Sequence, residues 1–256
     1  MAFMSLQIII PTLLIIAQFV YATNYCDPSL CNGDHIACHN NEGFHSSCKK
    51  PQDVQLTNNL KQLILDTHNK YRNKVAGGAT ALKPACRMAT LQWDNELASL
   101  AALNVKQCKM AHDECHNTDA YKYSGQNLAW ITYYNTADIK YLTGKSVDLW
   151  YNEIKDTKMS HIKSYPANYI GPQIGHFTVM MADRNIRVGC AASTYAVKGD
   201  NYRAFLFACN YATTNMIGFP IYKDCKKPAT ECKVDKNSKY PNLCAVSEKY
   251  DVNKWF

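Results

Sequence analysis

The side chains best equipped for chemistry in this chain are twelve cysteines and eight histidines. Cys26, Cys31, Cys38, Cys48, Cys86, Cys108, Cys115, Cys190, Cys209, Cys225, Cys232 and Cys244 all lie beyond an apolar leader. An even number of cysteines in an oxidising compartment implies six disulfides rather than reactive thiols. Each bridge contributes about 2–4 kcal/mol, mainly by restricting the unfolded chain. Zinc thiolates are the competing reading, but no Cys-x-x-Cys pair supplies the usual ligand spacing. No Gly-x-Ser-x-Gly places a serine nucleophile either. His35, His39, His45, His116 and His161 fall in polar or loop-like stretches, where solvent exposure is the expectation. The tripeptide Lys198-Gly199-Asp200 sets a cation and a carboxylate on either side of a glycine between two strand patterns. Such a tip could engage an integrin-type, metal-bearing receptor site. Gly-Asp-Asn is equally ordinary turn material, and a tripeptide match carries little weight alone.

These groups need elements to position them. Phe3 to Ala22 carries no charge and ends in Val20-Tyr21-Ala22, so residues 1–22 read as a secretory signal. Pro11 and Gln18 interrupt the run and argue against a stable membrane anchor. Residues 23–55 are rich in Cys, His, Asn and Gly and must be pinned by disulfides, because they cannot bury a core alone. Residues 56–222 carry the periodic patterns of a folded domain, and residues 223–256 form a tail dense in Lys and Cys. Leu60, Leu63, Ile64, Tyr71 and Val75 recur at helical spacing until Gly77-Gly78, and His68 on that helix is expected to make packing or capping hydrogen bonds. Asp94 should cap a second helix burying Leu97, Leu100, Ala101 and Val105. Val147, Trp150, Tyr151 and Ile154 mark a third. His176–Ala182, Ile186–Ala192 and Ala204–Tyr211 read as three strands separated by turn residues. Helices followed by an antiparallel meander give an α+β layered domain.

The net charge of +7 is scattered, apart from a run of six lysines between Lys223 and Lys239. No aromatic residue interrupts that run before Tyr240, so it does not read as a nucleic-acid site.

Four ordered motifs resemble the CAP superfamily of cysteine-rich secretory, antigen 5 and pathogenesis-related proteins. They are His68-Asn69-Lys70-Tyr71-Arg72, Gly125-Gln126-Asn127-Leu128-Ala129, Gly175-His176-Phe177-Thr178 with Val188-Gly189-Cys190, and Leu206-Phe207-Ala208-Cys209-Asn210-Tyr211. Asn24-Tyr25-Cys26 and the next three cysteines resemble insect antigen 5 from venom or saliva, a class of allergens. Two departures stand out: Ala182 sits where the family has Trp, and Thr214-Asn215-Met216-Ile217 replaces a Gly-Asn step. The resemblance implies an α-β-α sandwich with a central antiparallel sheet. It also implies the bridges Cys26–Cys38, Cys31–Cys115, Cys48–Cys108 and Cys190–Cys209. Cys86, Cys225, Cys232 and Cys244 have no partner in that scheme and are expected to form two further bridges, with Cys86 tying the tail to the body.

Carried over position by position, the family's cleft becomes His112, Gln126, Glu153 and His176. Glu153 would lie on the third helix and His176 at a strand start. Two imidazoles could hold zinc or copper, each oriented through its second nitrogen, and Glu153 could act as a base. Gln126 replaces one family carboxylate with an amide that cannot take up a proton, and two histidines fall short of the three protein ligands of catalytic zinc. With the resemblance to venom and salivary antigen 5, this implies a secreted, monomeric, non-enzymatic binder of host immune or haemostatic proteins or of small ligands that requires no cofactor. The alternatives are a metal-dependent hydrolase or redox protein, and a lipid or sterol carrier with a groove lined by Trp130, Tyr133, Tyr134 and Tyr141.

Overall fold

A computed structural model describes residues 23–197, 199 and 201–254. The expected signal segment therefore lies outside the described residues, as do Lys198 and Asp200. The centre is a five-stranded sheet in the order β1-β4-β5-β3, made of β1 (Gln52–Val54), β3 (Gly125–Tyr133), β4 (Arg187–Ala196) and β5 (Arg203–Tyr211). These four pair antiparallel, and the two-residue β2 (Gln92–Trp93) joins β4 in parallel. Strand β5 is buried along nearly its whole length, because both of its faces are covered. Its alternation splits the core: Phe205, Phe207, Cys209 and Tyr211 face one layer, while Ala204, Leu206 and Ala208 face the other.

The second layer is α2 (Asn95–Val105), which lays Ala101 and Val105 on the sheet. Asp94 caps it, its carboxylate accepting from Leu97 N at 3.0 Å. Gly189 of β4 lets the helix come this close. A Cβ there would lie 2.1 Å from Ala98 N and 2.3 Å from Asp94 O.

The opposite layer holds α1 (Asn58–Ala76), α3 (Ile139–Tyr151), the 3-10 turn Asn152–Asp156, α4 (Met159–Lys163) and α5 (Gly175–Met181). Thr57 caps α1, and Gly78 at φ +73° follows its end. The result is an α-β-α sandwich with an antiparallel sheet, as the motifs imply.

Several elements differ from the reading of the sequence, β3 among them, since that reading places no strand over Gly125–Tyr133. Residues 176–182 are a helix and its cap rather than a strand, because Phe177, Val179, Met180 and Met181 pack all round between sheet and α3. A short apolar run cannot reveal its period. Glu153 lies just beyond α3, in the 3-10 turn. Strand β1 lies inside the stretch read as a loop-like extension, and Leu243 of the tail reaches the main core.

Six disulfides tie these pieces together: Cys26–Cys38, Cys31–Cys115, Cys48–Cys108, Cys190–Cys209, Cys86–Cys225 and Cys232–Cys244. No cysteine among the described residues is free, and no described helix is long and apolar enough to cross a membrane.

Candidate functional site

Arg72 and Asn69 of α1 build the platform beneath the cleft. The Arg72 guanidinium is fully buried and donates to the carbonyls of Ala89, Met180 and Ala182 at 2.6–3.1 Å. It thereby fixes the C-terminal end of α5, the helix that carries His176. Asn69 exchanges two hydrogen bonds with the Leu91 main chain. His68 is fully buried between Ile64 O and Tyr211 Oη, both at 2.8 Å, and burial pushes its pKa down to about 4. It is a packing residue, not a ligand.

Above this platform, His112, His116, Gln126, Asn127 and His176 line a cleft of about 440 Å³. Gln126, on β3, is its hub. The Gln126 amide nitrogen donates to Asp113 Oδ2 at 2.7 Å and to Asn210 Oδ1 at 3.0 Å. An ionised carboxylate only accepts, so the Gln126 nitrogen must face Asp113 and its oxygen must face His112, 2.9 Å from Nδ1. His112 Nδ1 therefore carries a proton and donates to Gln126 Oε1. The same logic applies to His176, whose Nδ1 lies 2.6 Å from Glu153 Oε1. Glu153 Oε2 accepts the backbone N–H of Phe177 at 3.0 Å, so both carboxylate oxygens are engaged.

Asp113 and His116 belong to this assembly, although the motifs did not single them out. His116 Nδ1 meets Asp113 Oδ1 at 2.5 Å, and its Nε2 is buried without a partner. Burial alone would raise the Asp113 carboxyl, but His116 and the amides of Gln126 and Asn104 outweigh it and hold the pKa down to about 2. The spacing His112-Asp113-x-x-His116 was the available signal, since a carboxylate three residues before a histidine can turn back to it. Asn210 faces Gln126 only through the β3–β5 register. The departing segment supplies a wall of the cleft: Thr214, Asn215 and Ile217 line it, and Asn215 Nδ2 donates to Gly175 O.

The other expected features fall elsewhere. His35 and His116 are buried rather than exposed, His35 because it stacks on Tyr25 and bonds to Asn117 O. Gly199 sits in a turn at φ +86° with open space around it, while its neighbours Lys198 and Asp200 lie outside the described residues. The four aromatics do not line one groove. Trp130 bonds to Tyr195 on the α2 face, whereas Tyr133 packs against the opposite core. Tyr134 and Tyr141 are exposed.

The donor set suits a loosely held divalent cation, because each cleft imidazole anchors Nδ1 and, among the described residues, leaves Nε2 without a hydrogen bond. Glu153 and Gln126 are spent as orienting groups, so His112 and His176 remain as the expected ligands, with the buried, unpartnered Nε2 of His116 beside them in the cleft lining. Among the described residues, the two groups of three donor side chains that come within 4.8 Å of one another both include the two cysteines of a disulfide.

A three-layer, disulfide-stapled sandwich with a histidine cleft defines the CAP class of fold. The model described as "Cysteine-rich secretory protein family" matches residues 65–211, and the chain belongs to that family. Within it, the chain is similar to insect venom allergens and antigen 5 proteins. Venom allergen-1 of Aedes albopictus is 40% identical over 255 residues, covering 97% of each chain. Antigen 5 like allergen Cul n 1 of Culicoides nubeculosus is 42% identical over 191 residues, covering 68% of this chain and 84% of that one. The crystal structure of NaASP2 with Zn2+ shares the fold at TM-score 0.61 and 21% identity, covering 79% of this chain and 100% of that one.

Proposed function

We propose that the protein is a secreted, non-enzymatic antigen 5-like binder that engages host extracellular proteins of immunity or haemostasis. One observation carries this reading: the groups that could serve as a base, and the amide at the hub, are already spent within the cleft. Gln126, tied to Asp113, Asn210 and His112, cannot shuttle a proton. Glu153 is doubly engaged by His176 and the Phe177 amide. A hydrogen-bonded cleft of this kind braces sheet to helix and leaves recognition to the outer surface. The six disulfides support an extracellular setting, and the similarity to insect venom allergens supports a venom or salivary source.

The test is capture from vertebrate plasma by the purified protein, followed by mass spectrometry and titration of the captured partner. A saturable complex insensitive to chelator is the expected result. Turnover of peptide, ester or phosphate substrates that disappears in His176→Ala would overturn the reading.

A bound divalent cation is a second reading, favoured by the two Nε2 atoms available as ligands. His112 and His176 would hold zinc or copper, which would supply charge and Lewis acidity to a ligand in the cleft. Calorimetry with zinc on the wild type and on His112→Ala/His176→Ala tests it, and equal heats would end it.

A further inference from the structure

The lysine-rich tail does more than close the body. Between residues 223–254 and the loops carrying Arg87 and Arg184 lies a depression of about 640 Å³. Six cations line it, Arg87, Arg184, Lys223, Lys233, Lys249 and Lys254, against the carboxylates of Asp183, Glu231 and Asp251.

The pairings within it are uneven. Lys223 reaches Glu231 at 2.6 Å. Arg87 is held by Glu248, which also accepts the backbone N–H groups of Lys233 and Val234. Arg184 is buried, and its Nη1 donates to Lys254 O at 3.2 Å. Lys233, Lys249 and Lys254 make no ion pair among the described residues, and all three are exposed. The depression thus has a fixed guanidinium floor and a rim of three uncompensated ammonium groups. Its walls are held by the Cys86–Cys225 and Cys232–Cys244 bridges, so little ordering entropy would be lost on binding.

We infer that this depression is a binding site for a sulfated polysaccharide, distinct from the histidine cleft. Its shape and charge suit a flexible linear polyanion: the engaged guanidiniums add fixed positive charge at the floor, and the spaced, exposed lysines act as point charges along the chain. A nucleic acid fits it less well. Among the described residues Tyr250 is the only aromatic residue lining the depression, and the Arg87 guanidinium already covers its ring at 4.1 Å. No aromatic face of the described residues remains there on which a base could stack. The inference does not depend on the plasma partner proposed above.

The test uses the full disulfide-bonded protein and a heparin-derived oligosaccharide of defined length, titrated at several salt concentrations. The variant is Lys233→Ser/Lys249→Ser/Lys254→Ser. Its control, Lys140→Ser/Lys145→Ser/Lys155→Ser, removes the same charge from exposed positions on and just after α3. The tail variant should bind about tenfold more weakly, with the slope of log affinity against log salt reduced by about 2, while the control changes less than about twofold. Equal weakening of both variants would reduce the site to net charge and overturn the inference. Absence of wild-type binding would do the same, as would tighter binding of single-stranded DNA of matched charge. Complete thiol protection and an unchanged circular dichroism spectrum establish that the variants are folded.

Discussion

Replacing Gln126 with glutamate would convert the hub of the cleft from a donor into a second acid, and the cost can be worked from one distance. The Gln126 nitrogen lies 2.7 Å from Asp113 Oδ2. Two ionised carboxylates at that separation repel by about 6 kcal/mol at an effective dielectric constant of about 20. Proton uptake offers a cheaper route. Keeping a carboxyl neutral at about pH 7 costs about 1.4 kcal/mol for each unit above its ordinary value of about 4.3, hence about 3–4 kcal/mol. At about pH 5 the same reasoning leaves about 1 kcal/mol. The sign follows from linkage: the folded state raises the pKa of the introduced group, so stability is lost as pH rises above about 4.3 and regained below it. Denaturant unfolding of wild type and Gln126→Glu at both pH values, with disulfides intact, measures this directly. Equal destabilisation at the two pH values would refute the reasoning, as would a neutral-pH cost below about 1 kcal/mol.

Further outcomes follow from the same contacts. Asp113, held down to about 2 in the folded protein, contributes about 2 kcal/mol at neutral pH that disappears as pH falls from about 4 to 2. The acid limb of the stability profile should therefore flatten in Asp113→Asn, as thermal unfolding across that range would show. Arg72→Met strands the carbonyls of Ala89, Met180 and Ala182 and should cost about 3–5 kcal/mol in chemical denaturation. Gly189→Ala drives a methyl group into the backbone of Asp94 and Ala98. It should cost more than about 4 kcal/mol or abolish secretion of folded protein, scored by yield and free-thiol content.

What could be read in the sequence divides along physical lines. Asp94 announces its cap because the signal is local, a side-chain oxygen three residues from the amide it accepts. Helix α1 is legible because nineteen residues show the apolar period clearly. Helix α5 is not, since seven residues buried on every side look the same in either secondary structure. Strands β1 and β2 are too short to show alternation, and only pairing with β4 defines them.

The site divides similarly. His112, Gln126, Glu153 and His176 follow from motif resemblance, and the structure brings all but Glu153 to the cleft lining, with Glu153 directly behind His176. Asn210 enters only through register, and the burial of His35 only through stacking on the N-terminal extension. The separation of Trp130 from Tyr133 was implicit in the strand, because adjacent parity places residues three apart on opposite faces. It became visible only once β3 was known to be a strand.

The central claim is that the cleft is a braced hydrogen-bond assembly with Gln126 at its hub, not a reacting centre. Nitrogen-15 NMR of the His112 and His176 rings near neutral pH tests it most directly. The assembly predicts a proton on Nδ1 of both rings, donated to Gln126 Oε1 and to Glu153 Oε1. An unprotonated Nδ1 on either ring would mean that its contact with Gln126 or Glu153 does not form, and it would contradict the account.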